Sequence, residues 1–302
     1  MEKIGYYSLN YYLKEKFGCK VLKVSLDAGC TCPNRDGTLD SRGCIFCSKG
    51  GSGDFAGDRR LSIKEQLRLG KEFIKAKNPK LGQVKYIAYF QAFTNTYGDI
   101  NELKNKFYDA ITDPEVCVLS IATRPDCLPT NVLSLLSDLN KIKPVWVELG
   151  LQTIKPESIE YIRRGYPNEV YDKAVKNLND LGIEVITHVI LGLPKETKED
   201  MLSTVRYVGA SGSKGIKLQL LHVLKETDLY DDYKKGFFET LSMDEYIDIV
   251  VDAIKVLPKD MVIHRLTGDG DKKILVAPLW SGNKKAVLNA FSKRLYPKKT
   301  EF

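Results

Sequence analysis

The sequence lacks any long apolar run, since no segment approaches the roughly 18 consecutive apolar residues of a membrane-spanning helix. Its first residues, MEKIGYYSLNYYLKEKFG, lack the apolar stretch of a secretory signal peptide. Internal repeats and low-complexity segments are also missing. We therefore expect a cytoplasmic protein with reduced thiols and no membrane partner.

The composition excludes two further classes of protein. Hydrophobic residues make up 43% of the chain and charged residues 28%, unlike a disordered tail or a small scaffold held by disulfides. At about 100–200 residues per domain, the 302 residues correspond to one large domain or two small ones. A chain of this length buries a full hydrophobic core without covalent crosslinks.

The formal net charge of +7 is not spread along the chain. From residue 272 onward there are eight basic residues and one acidic residue, whereas residues 1–271 hold 38 of each. A uniformly basic surface is thus excluded, and the C-terminal segment is the candidate for contact with an anionic partner. Aromatic residues between its cations are typical of RNA binding, although a solvated helix face is the alternative. The predicted RNA-binding residues are Lys284, Lys285, Lys293 and Arg294.

Six apolar segments alternate with helical patterns along the chain. These predicted strands span Val21–Asp27, Val84–Gln91, Val116–Ala122, Val145–Leu151, Ile183–Leu191 and Ile216–Val223. Continuous apolar runs are typical of strands buried on both faces, and the alternation with helices predicts parallel βαβ units. We therefore predict an α/β fold, a partial (β/α)6 barrel with a parallel sheet, because a complete eightfold barrel takes about 250 residues.

A smaller α/β extension follows the predicted barrel. We place the barrel at residues 1–225 and the extension, packed on the same domain, at 226–302. The extension is expected to hold a helix over Ser242–Leu257, a short strand near Val262 and a helix over Asn283–Arg294. Ligands of parallel α/β sheets bind at the carboxyl ends of the strands. Residues directly after each strand are therefore the candidates for a functional site.

Three of the seven cysteines follow the first predicted strand as Cys32-x11-Cys44-x2-Cys47, within a turn-rich loop over residues 28–58. One interpretation is buried free cysteines. A second is structural zinc, which takes four ligands; Cys30 would have to be the fourth, because no histidine lies nearby. The third is an iron–sulfur cluster on three thiolates, which leaves one iron open for a small ligand.

Ordered motifs continue from this loop to the C-terminal segment. They are Val24-Ser-Leu-Asp27, Thr31-Cys-Pro-Asn-Arg-Asp-Gly37, Gly51-Ser-Gly-Asp-Phe-Ala56, Tyr89-Phe-Gln-Ala-Phe-Thr94, Thr123-Arg-Pro-Asp126, Val147-Glu-Leu-Gly-Leu-Gln-Thr153, His188-Val-Ile-Leu-Gly-Leu-Pro194, Lys217-Leu-Gln-Leu-Leu-His222, Ile263-His-Arg-Leu-Thr-Gly-Asp-Gly270 and Ala277-Pro-Leu-Trp280. On these motifs the chain resembles radical S-adenosylmethionine (radical SAM) enzymes of the elongator-catalytic-subunit-like branch, and more narrowly the bacterial YhcC/YtqA-type group. Tyr166 stands where that group usually has His, and Lys195 where it usually has Gly.

The resemblance implies that Cys32, Cys44 and Cys47 hold a [4Fe–4S] cluster whose fourth iron binds SAM. The spacing of these cysteines is longer than the Cx3Cx2C commonest in the superfamily, as it is in this branch. Further cofactor contacts are implied for residues in the cluster loop and near the ends of later strands. These are Phe46, Gln91, Thr94, Thr123, Arg124, Glu148, Gln152, Arg164, Ile190 and Leu193. Arg164 is expected to pair bidentately with the SAM carboxylate.

Several of these residues have a purely structural alternative. Phe46 fits loop packing, Arg164 a solvated helix end, and Ile190 and Leu193 fit core packing. We interpret His188 and His222 as structural groups on apolar strands. The remaining cysteines are too scattered to indicate a second cluster, and Cys127 is kept as a candidate radical-relay thiol.

The narrower resemblance implies a reaction on a tRNA wobble uridine, from the 5-carboxymethylaminomethyl to the 5-aminomethyl form. The expected partners are tRNA and an electron donor of the flavodoxin or ferredoxin type. One alternative is radical SAM chemistry on a small metabolite, and another is a non-catalytic, metal-stabilised RNA-binding module. A brown anaerobic preparation that forms 5′-deoxyadenosine from SAM would exclude the non-catalytic alternative.

Overall fold

The computed structural model describes residues 5–51, 53, 55–80, 82–268 and 270–296. Its strands are β1 (Lys20–Leu26), β2 (Val84–Phe90), β3 (Val116–Thr123), β4 (Val145–Gln152), β5 (Glu184–Leu191), β6 (Gly215–Leu220), β7 (Val223–Leu224), β8 (Val262–Arg265) and β9 (Leu275–Ala277). Its α-helices are α1 (Leu9–Phe17), α2 (Ile63–Lys77), α3 (Ile100–Ile111), α4 (Thr130–Asn140), α5 (Pro156–Tyr161), α6 (Asn168–Asp180), α7 (Lys198–Ala210), α8 (Asp228–Lys234), α9 (Met243–Val256) and α10 (Lys284–Leu295).

The main sheet is parallel throughout and has the order β1-β2-β3-β4-β5-β6-β8. Helices between consecutive strands pack on its outer face and bury a large apolar core. The sheet curves into a half-barrel, so the predicted α/β fold with a partial barrel is confirmed. A separate antiparallel ribbon pairs β7 with β9 beyond the end of β6.

The predicted sixth strand, Ile216–Val223, is two elements in the structure, because β6 ends at Leu220 and the chain turns before β7. The short strand predicted near Val262 joins the main sheet as its seventh strand, with Lys217 of β6 opposite Arg265 of β8. Four residues are too few for an apolar pattern to show which sheet a strand joins. Since β8 completes the main sheet, the division at residues 225 and 226 stays a proposal about chain organisation.

Local sequence signals place several helix starts. The Ser62 hydroxyl accepts the Glu65 backbone N–H at the start of α2. At the start of α9, Ser242 and Glu245 form a reciprocal capping box. These contacts satisfy backbone donors that the first helical turn leaves unpaired. Both helices therefore begin one residue after a serine cap, α2 at Ile63 and α9 at Met243.

An apolar floor closes the barrel interior at the amino ends of the strands. It contains buried side chains from six strands, among them Val21, Ile87, Val118, Trp146, Ile186 and Val262. Tyr12 and Leu13 of α1, a helix that the sequence analysis did not anticipate, join the same cluster. Because strand side chains alternate with a period of two, the next inward positions stand one layer closer to the carboxyl ends.

Candidate cofactor and substrate site

A cavity of about 430 Å³ opens at the carboxyl ends of the strands, where ligands bind in parallel α/β sheets. Every strand of the main sheet contributes to its lining, from Ser25 on β1 to Arg265 on β8. The loop between β1 and α2 forms one wall, and Cys32, Cys44 and Cys47 all line the cavity from that side. The fold therefore brings the three predicted cluster ligands to one site.

Hydrogen bonds from Asn34 and Arg35 fix the cysteine loop on the barrel rim. Asn34 Nδ2 donates to the Arg163 carbonyl over 2.7 Å. Arg35 Nη2 donates to the carbonyls of Cys47 and Ser48 over 2.8 and 2.7 Å. The loop is thus held by protein groups on both sides of its CxxC segment.

Three cavity cysteines are enough to hold an iron–sulfur cluster with one open iron, whereas a structural zinc ion requires a fourth ligand. Within the described residues, no group of three or more His, Cys, Asp or Glu side chains converges on one ion. In a cubane cluster each cysteine binds a different iron, so its ligands need not converge on one point. Cys30, the fourth ligand that zinc would require, is buried in the outer core instead of the cavity wall.

The protonation state of the Cys44 thiol depends on whether a metal centre is bound to it. Burial, followed by the nearby Cys47, raises the pKa of the Cys44 thiol to about 12. A metal centre acts in the opposite direction because its positive charge favours the thiolate. Binding of a cluster at this position therefore releases a proton.

Nine of the ten residues predicted to contact the cofactor line the cavity. They are Phe46, Gln91, Thr94, Thr123, Arg124, Glu148, Gln152, Arg164 and Ile190. Leu193 is not among the lining residues, and its side chain packs in a core cluster with Ile45 and Leu221. Gly192, at φ 92°, turns the chain away from the cavity once β5 has ended.

The geometry of Arg164 contradicts its expected pairing with the SAM carboxylate. The residue is 2% exposed, and its guanidinium donates four hydrogen bonds to protein acceptors. Nε donates to the Tyr166 carbonyl, Nη1 to the Leu151 and Thr153 carbonyls, and Nη2 to Asn168 Oδ1, over 2.8–2.9 Å. A bidentate carboxylate would have to displace these bonds, so we assign Arg164 a structural role at the end of β4. The alternative for Arg164, a position at a solvated helix end, does not hold either, because the side chain is buried.

Two departures from the family pattern occupy defined places. Tyr166 is buried, donates a hydrogen bond to the Gly150 carbonyl, and lies between the guanidinium groups of Arg124 and Arg164, 4.9 and 4.6 Å from its ring centre. Arg124 is held by Asp126 over 2.9 and 2.7 Å. Lys195 has φ 65°, the left-handed conformation that favours the glycine usual at this position.

Glu148 does not face the cavity as a free carboxylate, contrary to its expected contact with ribose or the methionyl group. It is fully buried, and its oxygens accept from the Ser120 hydroxyl over 2.8 Å and contact His188 Nε2 at 2.7 Å. Lys217 forms an ion pair with it, and the Lys23 ammonium lies 3.4 Å away. We call Lys23, Glu148, His188 and Lys217 the interior charge cluster.

Lys23 and Lys217 were not predicted as site residues. Lys217 is the one cation of β6, whereas Lys23 shares β1 with Lys20. Both contact the inward-facing Glu148. The signal was present in the alternation along Ile216-Lys-Leu-Gln-Leu220, because inward residues of a barrel strand recur every second position. His188, interpreted as structural, both lines the cavity and contacts Glu148.

Part of the basic C-terminal segment lies beside the cavity mouth. A groove there is lined by Lys272, Lys273, Lys284, Lys285 and the exposed Phe55, and it shares Phe55, Gly270 and Asp271 with the cavity wall. Arg294 instead forms ion pairs with Asp248 and Asp244 of α9. Lys298 and Lys299 lie outside the described residues. The structure thus places Lys284 and Lys285 in the groove and Arg294 in ion pairs on α9.

A half-barrel with three cysteines on the loop after its first strand, facing a cavity at the carboxyl ends, defines the class of cluster-dependent radical enzymes. The chain belongs to the Radical SAM superfamily, whose sequence profile matches residues 40–208, and the Radical SAM C-terminal domain matches residues 213–297. Its cofactors are accordingly a [4Fe–4S] cluster and S-adenosylmethionine.

Three individual proteins show which members of the superfamily this chain is similar to. The chain is 44% identical over 290 residues to YtqA of Bacillus subtilis (strain 168), covering 96% of this chain and 89% of YtqA. It is 30% identical over 165 residues to the tRNA uridine(34) acetyltransferase of Methanocaldococcus jannaschii, covering 53% of this chain and 30% of that protein. The fold is similar to Elp3 of Methanocaldococcus infernus, with a TM-score of 0.66 and 19% identity over 91% of this chain and 63% of that one.

The sequence predicted no membrane-spanning segment. In the described part of the chain, no helix combines the length and apolarity required to cross a bilayer.

Proposed function

We propose that the protein is a radical SAM enzyme that converts the 5-carboxymethylaminomethyl group of a tRNA wobble uridine into a 5-aminomethyl group. The observation that carries this proposal is the continuity between the cofactor cavity and the lysine-lined groove at its mouth. A groove of this charge suits an RNA backbone, and Phe55 offers a surface on which an unstacked base can stack. The similarity to a tRNA uridine(34) acetyltransferase supports the same substrate class.

We assign the cluster to Cys32, Cys44 and Cys47 and the SAM site to the cavity beside them. When bound, the cluster and SAM supply the one-electron cleavage of a sulfonium bond that yields a 5′-deoxyadenosyl radical. Gln91 and Thr94 at the end of β2 are placed to contact the methionyl amine, and Phe46 in the CxxC segment to pack on the adenine. The protein positions both reactants and excludes water from the cavity.

The proposed reaction balances with SAM as the oxidant. One hydrogen atom would leave the methylene between nitrogen and carboxylate, and the 5′-deoxyadenosyl radical would take it up to give 5′-deoxyadenosine. The remaining carbon radical would lose one electron, for which the cluster would be the acceptor, and one proton to give a carbon–nitrogen double bond, which water would hydrolyse to the 5-aminomethyl group and glyoxylate. An external donor of the flavodoxin or ferredoxin type is then needed to prime the cluster.

The substrate proposal predicts a specific change in tRNA nucleosides. A deletion strain should accumulate 5-carboxymethylaminomethyluridine, and 5-aminomethyluridine and nucleosides derived from it should fall. Mass spectrometry of digested tRNA measures both, and a plasmid copy of the gene should restore the wild-type profile. Unchanged wobble nucleosides, together with 5′-deoxyadenosine formation by the pure enzyme, would favour a small metabolite as substrate.

The two groups of basic residues should differ in their effect on tRNA binding. Lys284→Gln/Lys285→Gln removes two charges from the groove, so the slope of log K against log salt should fall by about 2. Arg294→Gln is the matched control, and we expect a smaller change because Asp248 and Asp244 already neutralise that charge. Filter binding over a salt series measures both slopes. Equal slopes for wild type and the double variant would show that these lysines belong to a solvated helix face and do not bind RNA.

A further inference from the structure

The interior charge cluster stands between the apolar floor and the cofactor cavity. Glu148, His188 and Lys217 all line the cavity from neighbouring strands. His188 lies opposite Lys217 in the register of β5 and β6, and Lys217 lies opposite Arg265 in that of β6 and β8. Cross-strand partners share a face of the sheet, so a row of cationic or imidazole side chains crosses the far end of the cavity.

Charges within this cluster do not balance. The ion pairs join two ammonium groups, Lys23 and Lys217, to the single carboxylate of Glu148. Burial opposes ionisation of Glu148, yet Lys217 and Lys23 hold the pKa of its carboxyl well below the usual range. Burial followed by the charge of Lys217 lowers the pKa of His188 to about 4, so this imidazole adds no charge at neutral pH.

Lys217 has the capacity to bind a further group. Its side chain is 3% exposed, and its ammonium contacts Glu148 and the Tyr89 hydroxyl, the latter at 3.2 Å. An ammonium carries three donors, so these two acceptors leave one N–H for the cavity. Burial holds the pKa of Lys217 well below its usual range, against the charge of Glu148. A second anion beside Lys217 would favour its ammonium form, because a buried charge is costly unless it is paired.

We propose that the interior charge cluster binds a carboxylate of the substrate, with Lys217 as the group that contacts it. The cluster lies at the opposite end of the cavity from its mouth, so a carboxylate held there draws the adjoining methylene into the space beside the cofactor. Under the proposed function, on which this assignment of the substrate rests, that carboxylate is the end of the 5-carboxymethylaminomethyl group. The carboxylate would then select the substrate over the 5-aminomethyl product, which lacks it.

The test uses reconstituted holoenzyme and two anticodon stem-loops, one with the carboxymethylaminomethyl group and one with its neutral carboxamide. Wild type should bind the carboxylate RNA about tenfold to a hundredfold more tightly, as a charge-assisted hydrogen bond implies. Lys217→Met should bind both RNAs equally. Glu148→Gln/Lys217→Met removes both members of the ion pair and replaces the single variant if that one does not fold. It should likewise lose the preference for the carboxylate RNA. Lys284→Gln/Lys285→Gln is the control that weakens both RNAs and leaves their ratio unchanged.

A wild-type enzyme without preference, or a Lys217 variant that keeps it, would overturn the proposal. Lower SAM affinity with an unchanged RNA ratio would overturn it too, because the cations would then serve the cofactor. If neither RNA binds, the proposed function has failed and a second measurement decides the carboxylate site. Acetate, exchanged for chloride at constant ionic strength, should raise the thermal midpoint of wild type but not of Lys217→Met. Equal midpoint changes in the two proteins would reject the site.

Discussion

Cys44→Ala is expected to purify without its iron–sulfur cluster and to form no 5′-deoxyadenosine from SAM. Cys44 lines the cavity with Cys32 and Cys47 on a loop that Asn34 and Arg35 hold in place, so no neighbouring thiol can replace it without rearrangement. Removing a group that only orients a metal ligand costs about 10–100-fold in affinity or activity. Loss of a direct ligand should therefore cost more than about a hundredfold. Iron and sulfide analysis and chromatography of SAM products measure the two effects.

Cys127→Ala is the matched control for this prediction. Cys127 is buried beside Asp126 and does not line the cavity, so its variant should keep iron and SAM cleavage. If that variant forms 5′-deoxyadenosine but leaves the RNA substrate unchanged, Cys127 acts as a radical-relay thiol. Full iron content in Cys44→Ala would show that the cluster ligands have been assigned wrongly.

Arg164→Met should lower the free energy of unfolding of the apoprotein by about 3–5 kcal/mol. The substitution leaves the carbonyls of Leu151, Thr153 and Tyr166 without their hydrogen-bond donor. Because Arg164 is only 2% exposed, water cannot replace its guanidinium there. Each buried carbonyl that loses its donor costs about 1–3 kcal/mol. Urea unfolding followed by circular dichroism, without cluster or SAM, measures the change.

Arg164→Lys separates a structural role from cofactor binding. Lysine keeps the positive charge but cannot supply four donors in the planar geometry of guanidinium, so we expect it to destabilise the apoprotein almost as much as methionine. A role in binding the SAM carboxylate predicts the opposite result. In that case both variants would unfold at the wild-type urea concentration, and their SAM affinity alone would fall.

The cysteine loop and the order of the strands could be predicted because both are local signals. A CxxC segment among turn-forming residues is visible in the sequence, and so are apolar runs separated by helical periodicity. The role of Arg164 could not be read in this way. Three of its four acceptors are backbone carbonyls, and two of these, Leu151 and Thr153, flank Gln152, where the chain bends with φ 68°. Any residue type supplies a backbone carbonyl, so the sequence does not mark these acceptors.

The interior charge cluster was only half visible in the sequence. Glu148 and His188 were noticed, but each was interpreted alone, as a cofactor contact and as a structural group. Their partners Lys23 and Lys217 come from strands on either side of β4 in the sheet. Charge pairing across a barrel follows from strand order and register together, and the sequence pattern predicted the order without the register.

The contact between the segment before α1 and strand β8, next to the apolar floor, has a consequence for biosynthesis. The backbone N–H of Ile263 donates to the Tyr7 carbonyl over 2.8 Å, next to the bridge between Ser8 and Ile263. Helix α1 therefore cannot reach its final contacts until residue 263 has left the ribosome. Until then Trp146 and its apolar neighbours lack their β8 partner, and a nascent chain with such a surface needs protection from aggregation. The cavity is therefore completed late in synthesis, because β8 supplies part of its wall long after the cysteine loop has been made.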